Sequence, residues 1–335
     1  MVSINQGNIV TASIFVYAFA LLIWVAGRAT MGDQSIYILA LNYLGVWLFL
    51  PLVIFIPWVM LSRNTLGALV LLFPIFLFLR FYGTMFIPKS LDPGKPKTPI
   101  TVMTFNLQCS NGDVNSILAM LDSHPPDVLA LQEVTQIYEE SLVKVLKERY
   151  AYHAAHKPAG LLIFSQHPIL SQEILPSRPW PIQRAIIQVG ETQFQLFNGH
   201  LAKPGIIEVL VTRDINRARE LAATRVSQID QIMHAISEKD MPAIVACDGN
   251  MTNLTLSYAL ITAKLQDAFK ERGWGLGHTF LMPRGFEIRT GINLPFQRID
   301  YLFYSPEISV TRVQVITRDT GSDHRPVWAQ FDLNP

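Results

Sequence analysis

The sequence predicts an α/β fold, helices layered on mixed β-sheets, carried behind three membrane-spanning helices. Three observations predict it: an apolar first quarter almost free of charge, an abrupt change to mixed composition near residue 98, and strands that interleave with helices from there on. Half of the 335 residues are hydrophobic. An ordinary soluble domain does not need so many, so part of the excess belongs in a bilayer.

Ile9 to Gly27 and Ile36 to Leu61 contain no charged residue, and Thr65 to Ile87 contains only Arg80. A bilayer core takes roughly 20 residues of apolar helix, so all three segments are long enough to span it. The first does not read as a cleaved signal peptide, because it lacks a basic leading region and two further spans come directly after it. Pro51, Pro57 and Pro74 kink helices, which membrane spans tolerate better than soluble ones. Residues 1–87 are expected to form a membrane domain and residues 88–98, rich in proline and lysine, a stiff extended linker. Residues 99–335 form the globular domain.

In that domain PITVMTFN (99–106) reads as a strand ending on a polar residue, and DVNSILAMLDSH comes next with helical spacing. DVLALQEV (127–134) repeats the plan, a strand running into Gln132 and Glu133, then a helix to about Arg149. GLLIFS, QRAIIQV and TQFQLFNGH are short strands, and a long helical stretch from about Ile206 to Ser237 leads into the strand MPAIVAC. RIDYLFYS and RPVWAQFDL complete the set. The interleaving lacks strict βαβ regularity, which suggests mixed sheets. In VACDGNMTN (245–253) the pair Asp248–Gly249 is, alone, a hairpin signal. The next residues, MTNLTLSYALITAKL, have helical periodicity, with Asn253 as a candidate N-cap. The glycine is therefore expected to turn the chain out of a buried strand and leave Asp248 and Asn250 facing one site.

Nine polar residues sit at or just beyond apolar strands: Asn106, Glu133, Asn198, His200, Asp248, Asn250, Asp300, Asp323 and His324. Singly, each reads as a turn or surface residue. Together they supply carboxylate and amide oxygens for a hard cation such as Mg²⁺, histidines that can donate to a phosphoryl oxygen, and a spare aspartate to hold a histidine tautomer. That inventory fits metal-assisted hydrolysis of a phosphate ester. Cys109 and Cys247 lie far apart, outside any CxxC or Cys/His cluster, and suggest neither a disulfide framework nor a zinc site. The globular part carries 21 basic and 24 acidic residues, a net charge of −3, which speaks against a nucleic-acid-gripping surface.

The motifs TFN (104–106), LQEV (131–134), NGHL (198–201), CDGN (247–250), RIDYL (298–302) and SDHRPV (322–327) resemble, in order and spacing, the endonuclease/exonuclease/phosphatase superfamily. The resemblance is to a membrane-anchored bacterial-type member. It implies a four-layered α/β sandwich with the active site at one end of two packed sheets. It further implies Glu133 as the main ligand of Mg²⁺, with Mn²⁺ as an alternative, and Asn106 and Asp323 beside it. Asp248 would orient or deprotonate the attacking water, and Asn250 would place nucleophile and phosphate. His324 and His200 would stabilise the transition state, Asp300 would orient His324, Asn198 would support the phosphate site, and Arg184 would add a substrate contact. Two departures stand out: Cys-Asp-Gly-Asn replaces the family's Gly-Asp-Phe-Asn, and Gly199 stands between Asn198 and His200.

The implied partners are the lipid bilayer and a phosphoester substrate, with a lipid headgroup favoured because the anchor raises its local concentration; no protein partner is implied. The alternatives are a membrane-tethered nuclease, for which Arg213, Arg217, Arg219 and Arg225 form a candidate stripe, and a non-catalytic module binding phosphoinositides or a partner. A multi-pass protein of the plasma (inner) membrane is expected. Basic residues near the spans number one on the Arg63 side against four on the domain side, which favours a cytoplasmic domain. The resemblance favours an extracytoplasmic one.

Overall fold

The computed structural model describes residues 6–89, 96–108, 113–177, 179–282 and 294–334. Residues 90–95 of the expected linker, and Cys109, lie outside them. Four helices lead: α1 (Gln6–Thr30), α2 (Ile36–Leu44), α3 (Leu52–Ser62) and α4 (Thr65–Tyr82). β1 (Pro99–Asn106), α5 (Val114–Ser123), β2 (Val128–Gln132), α6 (Gln136–Leu146), β3 (Tyr152–His156) and β4 (Leu161–Ser165) come after them. Next are β5 (Ile169–Leu175), β6 (Ile182–Val189), β7 (Thr192–His200), α7 (Ile206–Thr212), α8 (Ile215–Ser237), β8 (Ala243–Asp248) and α9 (Leu256–Thr262). The chain closes with β9 (Gln266–Asp267), α10 (Ala268–Arg272), β10 (Phe280–Leu281), β11 (Pro295–Gln297), β12 (Asp300–Tyr304), β13 (Ser309–Val315) and β14 (Val327–Asp332).

Two six-stranded sheets, ordered β13-β14-β1-β2-β4-β3 and β5-β6-β7-β8-β12-β9, make the sandwich. Each is mixed, with β1–β2 and β7–β8 parallel and the other neighbours antiparallel. Successive strand residues point to opposite faces, and the sequence obeys this closely. Ile100, Val102, Val128, Ala130, Phe194, Leu196, Ile244, Ala246 and Leu302 meet between the sheets. The alternate positions Met103, Phe105, Leu129 and Leu131 pack under Ile117, Met120 and Leu121 of α5 and Leu142 and Leu146 of α6. Phe197, Val245, Cys247 and Phe303 pack under Ile229 and Ile232 of α8 and Tyr258 and Ile261 of α9. Helix, sheet, sheet, helix is the layering the resemblance implied.

Two expectations are corrected here. The helical stretch 206–237 is two helices, broken where Arg213 adopts a left-handed φ of 60° and the Asp214 side chain caps Arg217 N. The cap of α9 is Thr255, whose side chain accepts from Tyr258 N, and not Asn253.

α1 and α4 are long and apolar enough to cross a membrane, and they expose Phe15, Val16, Phe19, Leu69, Leu72 and Phe76, among others. A helix apolar on its exposed face suits lipid better than water. The segment Ile36–Leu61, expected as one span, is a pair of helices bent by 40°, Ile36–Phe49 and Leu52–Ser62, a third span if the pair is counted as one. The break falls at Leu50–Pro51, after a short 3-10 segment that Gly45 opens with a φ of 55° and before Pro51 restarts the helix. The first half of this pair packs on the globular domain: Ile36, Leu39 and Tyr43 of α2 meet Val209 of α7 and Ala218 of α8.

Candidate active site

At one end of the sandwich the inter-sheet face changes from apolar to polar without losing its period of two. Asn106 continues the row of Ile100 and Val102; Asn198 and His200 continue Phe194 and Leu196; Asp248 continues Ile244 and Ala246. Asp300 opens the row that Leu302 continues. Strand pairing then sets His200, Asp248 and Asp300 side by side, His200 opposite Asp248 and Asp248 opposite Asp300. Strand geometry alone thus converts residues far apart in sequence into one buried cluster.

Glu133 comes one residue after β2 and by alternation would point to the outer face. A φ of 54° turns it back instead, a conformation that non-glycine residues seldom adopt. Gly160 makes room for this turn: its carbonyl accepts from Val134 N at 2.9 Å, and a Cβ there would lie 2.9 Å from Val134 O. Asn106 Nδ2 donates to Glu133 Oε1 at 3.2 Å and Asp248 Oδ2 at 2.9 Å. His200 Nε2 lies 3.6 Å from each of the same two oxygens.

On the other flank His324 Nδ1 lies 2.9 Å from Asp300 Oδ2, and its Nε2 is 3.9 Å from Asp248 Oδ2 and 3.8 Å from Asp323 Oδ1. Burial by itself lowers the His324 pKa, but the charges of Asp300 and Asp248 outweigh it and push it up to about 10. His200 shows the opposite balance, its pKa lowered by burial against the pull of Asp248 and Glu133. Burial raises Asp323, whose Oδ2 accepts from Gln108 Nε2 at 2.8 Å. Asn250, with a φ of 45°, donates its backbone N–H to Asp248 Oδ1 at 3.0 Å and its side-chain amide to Leu201 O at 3.0 Å.

The donor set fits a divalent metal. Among the described residues two buried atoms aimed into the cluster, His200 Nε2 and Asp323 Oδ1, have no hydrogen-bond partner. Glu133, His200 and Asp248 each present a ligand atom within 4.8 Å of the others. Four carboxylates (Glu133, Asp248, Asp300, Asp323) face two cations, His324 and Lys203, whose Nζ is 3.1 Å from Glu133 Oε1. Carboxyl groups thus outnumber the cationic ones, a surplus that a divalent cation would offset. Oxygen donors in such number suit a hard ion. Asp248, Asp300 and His324 also lie within ligand distance, but Asp300 is occupied with His324 Nδ1.

Two of the expected site residues do not reach the cluster. Arg184 stands on the outer face of β6, one residue out of phase with Gln183, and binds Glu173 at 3.1 Å and Glu238 at 3.2 Å. Asn198 sits one layer behind His200 with its amide engaged between the sheets, accepting from Gln132 Nε2 at 2.8 Å and donating to Leu131 O and Gln183 Oε1. It braces the sheets beneath the site. Lys203, Gln108 and Thr279 are not singled out by the sequence, and Arg225, a candidate there only for a nuclease stripe, takes a different part. Thr279 Oγ1 accepts from Asp300 N, and Arg225, buried, donates from Nη1 to Asn250 O at 3.2 Å.

Gly249, where the family has a bulky residue, does not open the floor of the site. The space beside it is filled: a Cβ there would come within 3.0 Å of Met251 Cε and 3.1 Å of Tyr301 Cδ2. At Gly199 the nearest atoms would be 3.6 Å and 3.7 Å away, ordinary contacts. Gly249→Phe is therefore expected to destabilise the protein by about 1–3 kcal/mol through overpacking, with Gly199→Ser close to neutral. Thermal melts of the two variants check the contrast.

A groove of about 550 Å³ opens beside Glu133 and His200, with Lys157, Trp180 and Lys203 on its walls. The model of the Endonuclease/Exonuclease/phosphatase family matches residues 103–324. Exodeoxyribonuclease III of Haemophilus influenzae is 22% identical over 276 residues, covering 68% of this chain and 98% of that enzyme. The endonuclease/exonuclease/phosphatase structure from Bacteroides vulgatus superimposes with a TM-score of 0.56 at 17% identity, over 71% of this chain and 100% of that one. The human Nocturnin catalytic domain with bound sulfate gives 0.54 at 17% identity, over 70% and 94%.

Proposed function

Because the chain belongs to the endonuclease/exonuclease/phosphatase family, we propose that it is a Mg²⁺-dependent phosphoester hydrolase held in a membrane and acting on a lipid headgroup or another membrane-proximal phosphoester. Residues 1–87 act as the membrane module, 88–98 as linker and 99–335 as catalytic domain. Glu133, Asn106 and Asp323 are the residues that would hold the cation. When bound, it supplies neutralisation of phosphoryl charge and a more acidic water. Asp248 accepts the proton of the attacking water, and Asn250 fixes its direction. Protonated His324, held by Asp300, and His200 donate to the phosphoryl oxygens as charge gathers on them.

The observation that favours a substrate at the membrane is the placement of the site. Lys203, on the wall of the groove, leads within three residues into α7, which packs on α2 of the helical module. The site itself adjoins the helical module, since the Tyr43 hydroxyl of α2 donates to the carbonyl of Asn250.

The nuclease reading draws on the Haemophilus influenzae relative, an exodeoxyribonuclease by name. The arginine stripe it needs is not assembled: Arg225 is buried, and Arg217 pairs with Glu220 at 2.8 Å. Full-length protein in lipid nanodiscs, given Mg²⁺ and parallel panels of phospholipids, sphingolipids and DNA, is expected to turn over a lipid phosphoester. Fast DNA cleavage with no lipid turnover overturns the substrate assignment. Protease accessibility of the domain in intact cells tests its side, for which the resemblance supports the extracytoplasmic face.

A further inference from the structure

The helical module does more than adjoin the site. The loop after β8, which carries Asn250, is gripped from behind by polar groups of the module. Thr252 Oγ1 donates to Asn42 O at 2.9 Å, Arg28 Nε donates to Leu254 O at 2.8 Å, and Leu256 N donates to Asp33 Oδ2 at 2.9 Å. The Leu254 side chain is buried in the module's own core beside Ile14, Leu21 and Trp24. A tether needs none of these contacts, since a linker alone holds a domain at a membrane.

One contact reaches the site directly. The carbonyl of Asn250 accepts from two buried donors, Arg225 Nη1 and the hydroxyl of Tyr43 in α2. The peptide so held continues from a residue with a φ of 45°, whose N–H donates to Asp248 Oδ1. A left-handed asparagine persists where surrounding contacts over-determine it. Tyr43 also accepts, at its own carbonyl, from the side-chain amide of Gln297, three residues before Asp300. It therefore stands between the strand ends that present Asp248 and Asp300.

We infer that Tyr43 is a positioning residue of the active site: its hydroxyl, with Arg225, fixes the Asn250 peptide and through it Asp248, so that the membrane module completes the hydrolytic site. This rests on the proposed roles of Asp248 and Asn250. Tyr43→Phe removes one hydroxyl and keeps the ring.

In full-length protein in nanodiscs, Tyr43→Phe is expected to lower kcat about tenfold with KM within about twofold, since small misplacements of reacting groups are costly. In an Asp248→Ala background, which removes the carboxylate that the Asn250 N–H holds, the same change should alter kcat less than about twofold, because effects acting through one group are not additive. A lost fraction of folded protein would lower kcat by the same factor in both backgrounds. Thr252→Val, which releases the same loop at Asn42, should repeat the pattern and serves if Tyr43→Phe does not fold. Wild-type-like activity of both variants, or equal factors in the two backgrounds, overturns the inference. A wild-type chain that hydrolyses no phosphoester overturns the proposed function and this inference with it.

Discussion

Glu133→Gln lowers kcat/KM on a phosphoester by about 10³-fold, the scale set by losing a charge that a metal-assisted site depends on. The substitution is nearly isosteric and leaves hydrogen-bonding capacity toward Asn106, so folding should survive. The cluster it relieves carries more negative than positive charge, with Glu133 Oε1 and Asp248 Oδ2 both 3.6 Å from His200 Nε2. Without metal the variant should therefore melt no lower than the wild type. The signature lies in the response to the ion. A ligand that binds only the folded state raises stability by RT ln(1 + [L]/Kd), so Mg²⁺ raises the wild-type melting temperature and leaves that of Glu133→Gln almost unmoved. A Glu133→Gln variant with unaltered biological activity in cells would instead support the non-catalytic reading.

Asp300→Asn is expected to lower kcat by about 10³–10⁴-fold, on the scale of losing the carboxylate that holds a catalytic imidazole elsewhere. The pair is buried and close, with His324 Nδ1 2.9 Å from Asp300 Oδ2. Burial favours neutral imidazole, and only the neighbouring carboxylates push the pKa up to about 10. Asparagine leaves burial the stronger influence, so His324 loses its proton at lower pH and the basic limb of the activity profile moves down. The linkage has a definite sign. A folded-state pKa above the ordinary value of about 6.5 gives stability that is complete below that pH and is lost as pH rises toward about 10. Melting temperatures of metal-free wild type should fall across that window, and those of Asp300→Asn should fall less.

The strands legible in the sequence were the interior ones, because a strand buried on both faces is a continuous apolar run. The edge strands β3, β5, β9 and β13 were missed. YHAAH, ILSQEIL and SVTRVQV carry polar and charged residues that keep sheet edges from pairing with other chains, and those residues erase the pattern. The middle segment reads as one straight helix because hydropathy does not register the bend at Leu50–Pro51. At the site, the motifs named the groups that sit at strand ends. Arg184 failed on phase: alternation along β6 puts Gln183, and not Arg184, on the inter-sheet face. Tyr43, and the part that Arg225 plays, were illegible for a different reason. They act on a carbonyl more than 20 residues away, and no local spacing encodes that contact.

Hydrolysis in vesicles containing the full-length chain and a phosphoester lipid, measured with Mg²⁺, after chelation with EDTA and after Mg²⁺ is restored, tests the central claim most directly. The account predicts turnover that stops on chelation, resumes with the ion, and is absent throughout for Glu133→Gln. Turnover undiminished by EDTA, or equal in the variant, would contradict it.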